Sequence, residues 1–170
     1  MNRMKFLTSL ILCAACSTTA QWVQTSGPCG GEVECFAASG NDLFLGSYPG
    51  GVYHSTNDGA LWTFVPPGAS NLFVLDLATK GPYLFLATAG GLFRTSVNGT
   101  TWVGVDSGFA NTNIRSLGVF DSNLFVSTWD GTYLSTDDGS SWMSADSGLP
   151  ESYVTCRIFR WAAVFFERSA

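Results

Sequence analysis

The sequence predicts an all-β protein made of β-propeller blades, each with four antiparallel strands. Trp22, Trp62, Trp102 and Trp142 recur at intervals of 40 residues. Between them lie short runs of β-branched and aromatic residues, separated by Gly, Asn, Asp and Ser. No long segment places its apolar residues at a helical period. Four strands per repeat of this length are typical of a blade, so we expect about three complete blades, single strands at each end and an incomplete ring.

Each repeat contains the four predicted strands in the same order. The first strands are VECFAAS, VLDLATK and IRSLGVF, and the second strands are LFLGS, LFLAT and LFVST. The third strands are GVYHS, GLFRT and GTYLS. The fourth strands are predicted to begin at the tryptophan, in LWTFV, TWVGV and SWMSA, and DSGF or DSGL follows two of them.

A polar octet that ends in tryptophan separates the third strand from the fourth. The first, second and third octets are STNDGALW (55–62), TSVNGTTW (95–102) and STDDGSSW (135–142). Their Asp-Gly or Asn-Gly pairs accept positive φ and predict a tight hairpin. The Ser or Thr that opens each octet can bond the turn backbone. We expect the tryptophan ring to fold back over the hairpin and stabilise the blade by about 3–5 kcal/mol.

The octets resemble the Asp-box, or BNR, repeat S-x-D-x-G-x-x-W. The residues at its fixed positions are Ser55, Asn57, Gly59 and Trp62 in the first octet, Thr95, Gly99 and Trp102 in the second, and Ser135, Asp137, Gly139 and Trp142 in the third. Only the third octet matches every fixed position, because the aspartate is replaced by Asn57 in the first and by Val97 in the second.

The resemblance covers about residues 21–156 and implies a propeller with its octets at the blade periphery, away from the active face. The family includes sialidases, xyloglucan-cleaving glycosidases, sortilin-type receptors and photosystem II assembly factors. The resemblance therefore implies a fold and leaves the function open. With its N-terminal signal, the chain is similar to secreted bacterial repeat proteins.

The N-terminus has the order of a secretory signal peptide: Arg3 and Lys5, a short apolar run, then small residues. The predicted segments are a signal peptide at 1–20, repeats at 21–156 with blades at about 32–66, 72–106 and 112–146 and part-blades at both ends, and an aberrant tail at 157–170. The apolar run is too short for a membrane span. We expect a secreted, periplasmic or cell-surface protein, with lipoprotein cleavage before Cys16 as an alternative.

Three blades cannot close a ring, because propellers typically have four to eight. One explanation is that the sequence is part of a longer propeller, which the aberrant tail favours. The other is that copies of the chain assemble head to tail into a shared ring.

The net charge and the cysteines indicate which partners, disulfides and metal sites are expected. The formal net charge is −5 and becomes −7 once the signal peptide is removed, so nucleic acid is not an expected partner. Cys29 and Cys35 are close enough to form a disulfide, although spacing alone does not fix the pairing. No ligand spacing predicts a metal site, and no cofactor is expected.

Five residues are candidates for ligand binding, and none is predicted to be catalytic. Tyr48 and Trp129 lie between second and third strands, where they can stack on sugar rings or on a partner's side chains, or simply cover blade edges. Asp76 lies in a first strand, which in a propeller lines the central channel. Arg94 and Arg115 are cationic candidates, although no sialidase-type arginine triad is recognisable.

The single histidine, His54, has Arg94 and Leu134 at the corresponding positions of the other repeats. Lateral packing or solvent exposure therefore explains it better than catalysis. The sequence favours an exported, non-catalytic module that binds a protein or a glycan. The alternative is a piece of a glycoside hydrolase whose catalytic residues lie in further blades.

Overall fold

A computed structural model describes residues 32–66 and 73–147, which form twelve strands and no helix. Blade 1 contains β1 (Glu32–Ser39), β2 (Asp42–Tyr48), β3 (Gly51–Ser55) and β4 (Thr63–Val65). Blade 2 contains β5 (Val74–Lys80), β6 (Tyr83–Thr88), β7 (Gly91–Ser96) and β8 (Val103–Gly104). Blade 3 contains β9 (Ile114–Phe120), β10 (Asn123–Thr128), β11 (Thr132–Ser135) and β12 (Met143–Ser144). Each blade is one antiparallel sheet in chain order, so the predicted fold class is confirmed.

The blades pack face to face, and successive side chains of a middle strand point alternately into the cores on its two sides. In β6, Leu84 and Leu86 point into the core shared with blade 1, whereas Phe85 and Ala87 point into the core shared with blade 3. This is the two-residue period of a strand that is buried on both faces. The first strands also adjoin across blades, where the Thr79 hydroxyl donates to a carbonyl oxygen of β1 at 2.6 Å.

The fourth strands differ from the prediction. They begin one residue after the tryptophan, at Thr63, Val103 and Met143, and contain only two or three residues. The tryptophans themselves come just before the residues that pair with the third strands. The rings of Trp102 and Trp142 pack into the cores between blades. The predicted signal peptide and the C-terminal tail lie outside the described residues.

Candidate functional site

Each blade has two distinguishable ends, which the strand register defines. Tyr48 pairs with Glu32, so the turn between second and third strands lies beside the start of the first strand. We call this the loop end. Ser55 pairs with Leu43, which places the octet at the opposite end of the blade, here called the octet end.

Three aromatic rings are exposed at the loop end. Tyr48 stacks on Phe73, which precedes β5 of the next blade, with ring centroids 4.8 Å apart. On blade 3, the guanidinium of Arg115 lies over the ring of Trp129 at 4.5 Å from its centroid. Tyr48, Phe73 and Trp129 keep 44%, 39% and 43% of their surface exposed. The structure thus places three of the predicted binding residues at one end and adds Phe73, which the sequence reading missed.

The loop end carries small residues on blade 2. Its turn between second and third strands is Ala89-Gly90, at the place where blade 3 has Trp129 and Asp130. Both turns are held by a buried threonine: Thr88 and Thr128 each accept a hydrogen bond from the backbone N–H two residues later, at 3.1 Å. The Tyr48–Phe73 pair and the Arg115–Trp129 pair therefore lie on either side of a turn that lacks large side chains.

Asp76 joins two blades instead of presenting a free carboxylate. It accepts hydrogen bonds from the Leu117 N–H at 2.8 Å and the Ser116 hydroxyl at 3.2 Å, both on β9. Its other oxygen accepts from the Leu77 N–H at 2.9 Å. These bonds explain a partly buried acid on a first strand without any ligand.

Arg94 lies apart from Arg115, at the octet end. Its guanidinium covers the ring of Tyr83 at 4.5 Å and donates to the carbonyl oxygen of Asp138 in the third octet. Lys80 forms an ion pair with the carboxylate of the same Asp138. Two cations of blade 2 therefore hold the third octet against that blade, an arrangement that the sequence reading did not predict.

The first and third octets form the predicted turn. Ser55 and Ser135 are buried, and their hydroxyls accept the N–H groups of Gly59 and Gly139 at 3.0 and 2.8 Å. The two glycines have φ of 81° and 83°. Residues with a Cβ rarely adopt this conformation, whereas glycine adopts it readily.

The side chain two residues after each serine closes the same turns. Asn57 accepts the Leu61 N–H at 2.8 Å, and Asp137 accepts the Ser141 N–H at the same distance. The hydroxyl and N–H of Ser141, followed by the hydroxyl of Ser135, lower the pKa of Asp137 to about 2.

In the second octet β7 and β8 still pair as an antiparallel hairpin, but the predicted positive φ at Asn98-Gly99 is wrong. Gly99 does not have positive φ, and its N–H donates to the Ser96 carbonyl at 2.7 Å. The Thr95 hydroxyl is buried without a hydrogen-bond partner. Val97 replaces the oxygen-bearing side chain of the other octets, so it cannot accept the N–H groups that close their turns.

The tryptophans of the second and third octets are partly buried at blade boundaries. The indole N–H of Trp142 donates to the Val105 carbonyl of blade 2 at 2.7 Å. Phe109 from the DSGF segment lies against the same ring, with centroids 4.9 Å apart. The indole N–H of Trp102 is buried without a partner.

His54 is packed laterally, as predicted. It stacks on Phe44 with centroids 4.6 Å apart, and its Nε2 lies 2.7 Å from a carboxylate oxygen of Asp42. Cys29 lies outside the described residues, so the Cys29–Cys35 disulfide stays a prediction. Within residues 32–66 and 73–147, no group of three or more His, Cys, Asp or Glu side chains is placed to hold a metal ion. The same residues contain no helix of the length and hydropathy needed to cross a membrane.

No protein-family model and no curated protein sequence matches this chain. Solved structures do. The computationally designed Ika4 protein matches with a TM-score of 0.63 and 14% identity, over 80% of this chain and 84% of that one. The extracellular domain of the putative hybrid two component system BT4673 from B. thetaiotaomicron matches with a TM-score of 0.61 and 19% identity, over 76% of this chain.

An ancestral GH74 enzyme matches with a TM-score of 0.58 and 24% identity, over 68% of this chain. The chain spans only 18% of that enzyme and 18% of the BT4673 domain. Because these structures are at most 24% identical to the chain, the similarity shows the fold alone. The described residues form three consecutive β-propeller blades and no closed ring.

Proposed function

We propose that this chain is an exported, non-catalytic β-propeller module of the Asp-box kind that binds an extracellular glycan or protein through its loop end. One observation carries this proposal: Tyr48, Phe73 and Trp129 expose aromatic surface at the same end of the blades. Flat aromatic rings bind sugar rings and apolar side chains by stacking. Arg115 adds hydrogen-bond donors beside one of them.

A glycan is the ligand class that this surface favours. The Tyr48–Phe73 pair and Trp129 flank the small Ala89-Gly90 turn, so an extended chain of sugar rings can contact both without meeting a large side chain of that turn. Export is supported by the N-terminal signal pattern and by the likeness to an extracellular domain.

Titration calorimetry with soluble xyloglucan and cello-oligosaccharides tests the proposal. We expect saturable binding that Trp129→Ala weakens at least tenfold, which corresponds to about 1.4 kcal/mol. Met143→Ala is the matched control, because Met143 is also exposed but lies on a fourth strand. Equal affinity in the two variants would show that the loop end is not the binding surface.

The second candidate is a piece of a glycoside hydrolase, which the likeness to a GH74 enzyme favours. Retaining and inverting glycosidases need two carboxyl groups that flank the scissile bond. Asp76, the acid on an inner strand, is occupied by donors from β5 and β9. We expect no release of reducing ends from the same glycans, and measurable release would favour the enzyme.

A further inference from the structure

We propose that the loop end discriminates between glycans by charge: it accepts uncharged or basic sugars and excludes chains of acidic sugars. This inference rests on the proposed function, because it concerns the ligand of the same surface. The observation behind it is the position of the carboxylates. Each of the three described blades has a carboxylate at the loop end, beside an exposed aromatic ring or beside the small turn of blade 2.

On blades 1 and 3 the carboxylate is a direct neighbour of an exposed ring. Glu32 pairs with Tyr48 across β1 and β2, and both residues are exposed. Side chains that lie opposite each other in an antiparallel pair have Cβ atoms about 4.5–5.5 Å apart. Asp130 follows Trp129 in the turn between β10 and β11 and is exposed as well. A sugar ring that stacks on Tyr48 or on Trp129 therefore lies near a negative charge.

Blade 2 has a carboxylate beside its small Ala89-Gly90 turn. Oδ2 of Asp106 occupies the space next to Gly91, where a Cβ on that glycine would lie only 2.5 Å away. Asp146 has the same relationship to Gly131 on blade 3, at 2.7 Å. Because glycine has no side chain, both carboxylates can lie against the turns of the loop end. An extended glycan that crosses the three blades thus meets a carboxylate on each of them.

The cations are distributed unequally between the two ends of the blades. In the part of the chain that the structure describes, Lys80 and Arg94 lie at the octet end, where both are bound to Asp138. Arg115 lies at the loop end, with its guanidinium over the ring of Trp129. It can donate hydrogen bonds to the hydroxyl groups of a neutral sugar. For a chain with an acid group on every sugar, its single positive charge offsets only one of the carboxylates.

The resulting electrostatic field disfavours acidic ligands. Like charges repel across several ångströms of water, and salt screens this repulsion, because the Debye length falls from about 30 Å at 0.01 M to about 3 Å at 1 M. A neutral sugar chain does not respond to the field, and a chain of amino sugars is attracted by it. Charge therefore selects among glycans on a surface whose affinity comes from its aromatic rings.

Three oligosaccharides with the same β-1,4-linked backbone test the inference: a cello-oligosaccharide, its form oxidised to glucuronic acid at C6, and the glucosamine oligomer of equal length. Calorimetry uses the full chain at low ionic strength and about pH 5.5, where carboxylates are ionised. We expect the acidic oligomer to bind about tenfold more weakly than the neutral one, and the glucosamine oligomer to bind at least as tightly as the neutral one. Added salt should reduce both differences.

The variants Asp130→Asn and Asp121→Asn separate a local effect from the overall charge. Each removes one negative charge from an exposed turn, but Asp121 lies between β9 and β10, at the octet end. We expect Asp130→Asn to reduce the ratio of neutral to acidic affinity about threefold, and Asp121→Asn to leave this ratio unchanged. Equal ratios in the two variants would contradict the role assigned to Asp130.

The outcomes also separate this inference from the proposed function. If the acidic oligomer binds as tightly as the neutral one, or more tightly, the charge discrimination is overturned while glycan binding at the loop end stands. If none of the three oligomers binds, glycan binding itself is refuted and the charge discrimination is refuted with it.

Discussion

The indole N–H of Trp142 donates to the carbonyl oxygen of Val105, 37 residues earlier and on the neighbouring blade. The bond shows that an octet stabilises the boundary between blades as well as its own hairpin. Asp138 of the same octet is held by blade 2 through Lys80 and Arg94. The third octet therefore connects blade 3 to blade 2.

Replacing Trp142 by Phe should destabilise the protein by about 1 kcal/mol more than replacing Trp102 by Phe. Both changes remove similar apolar surface, but only Trp142 loses a hydrogen bond, since the Trp102 indole N–H is already unpaired. Urea unfolding of the two variants measures the difference. Equal losses would mean that the bond to Val105 adds nothing beyond packing.

Replacing Ser135 by Ala should cost about 1–3 kcal/mol, because it leaves the buried N–H of Gly139 without its acceptor. Thr95→Val is the matched change in the second octet, where the buried hydroxyl has no partner. It preserves the shape of the side chain and should be neutral or stabilising. Thermal unfolding followed by circular dichroism compares them, and a larger loss for Thr95→Val would contradict the assigned hydrogen bonds.

The strands and turns were predictable because their signals repeat with the blade. Asp-Gly at 58–59 and 138–139 adopts positive φ at both residues, as such pairs favour in tight turns. Asn98-Gly99 does not adopt the positive φ that was expected of it, and the sequence contained a reason for this difference. Val97 has no oxygen to accept the N–H groups of the turn, so a glycine in the correct position was not sufficient.

The contacts between blades were less predictable, because they involve backbone groups or side chains that occur in only one of the repeats. Nothing in the sequence identifies the carbonyl of Val105 as the acceptor of Trp142. Lys80 is a cation where the other repeats have Ser39 and Phe120, but its partner is 58 residues away. At the loop end, Phe73 was missed because it belongs to no repeated pattern.

Asp76 offers a test of whether a residue of a first strand serves the fold or a ligand. Asp76→Ala should lower the free energy of unfolding by about 1–3 kcal/mol, because the Leu117 N–H and the Ser116 hydroxyl lose an acceptor. Asp76→Asn keeps one side-chain oxygen and should have an intermediate effect. Chemical denaturation measures both. Unchanged stability in Asp76→Ala would mean that these hydrogen bonds do not stabilise the fold, and Asp76 would again be a candidate for ligand binding.

Acidification should weaken the third octet. The pKa of Asp137 falls from 3.8 to about 2 in the folded protein, because Ser141 and Ser135 donate to its carboxylate. The stabilisation from a lowered pKa is complete above the unfolded value and is lost as the pH falls through the folded value. The loss is therefore expected between about pH 4 and pH 2.

The substitution Asp137→Asn copies the first octet, where Asn57 makes the corresponding bonds. We expect little change in melting temperature at pH 7 and a smaller decline than the wild type between pH 4 and pH 2. Asp121→Asn removes the same charge from an exposed turn and controls for net charge. If the two variants decline identically, the acid sensitivity comes from overall charge and not from the hydrogen-bonded carboxylate of Asp137.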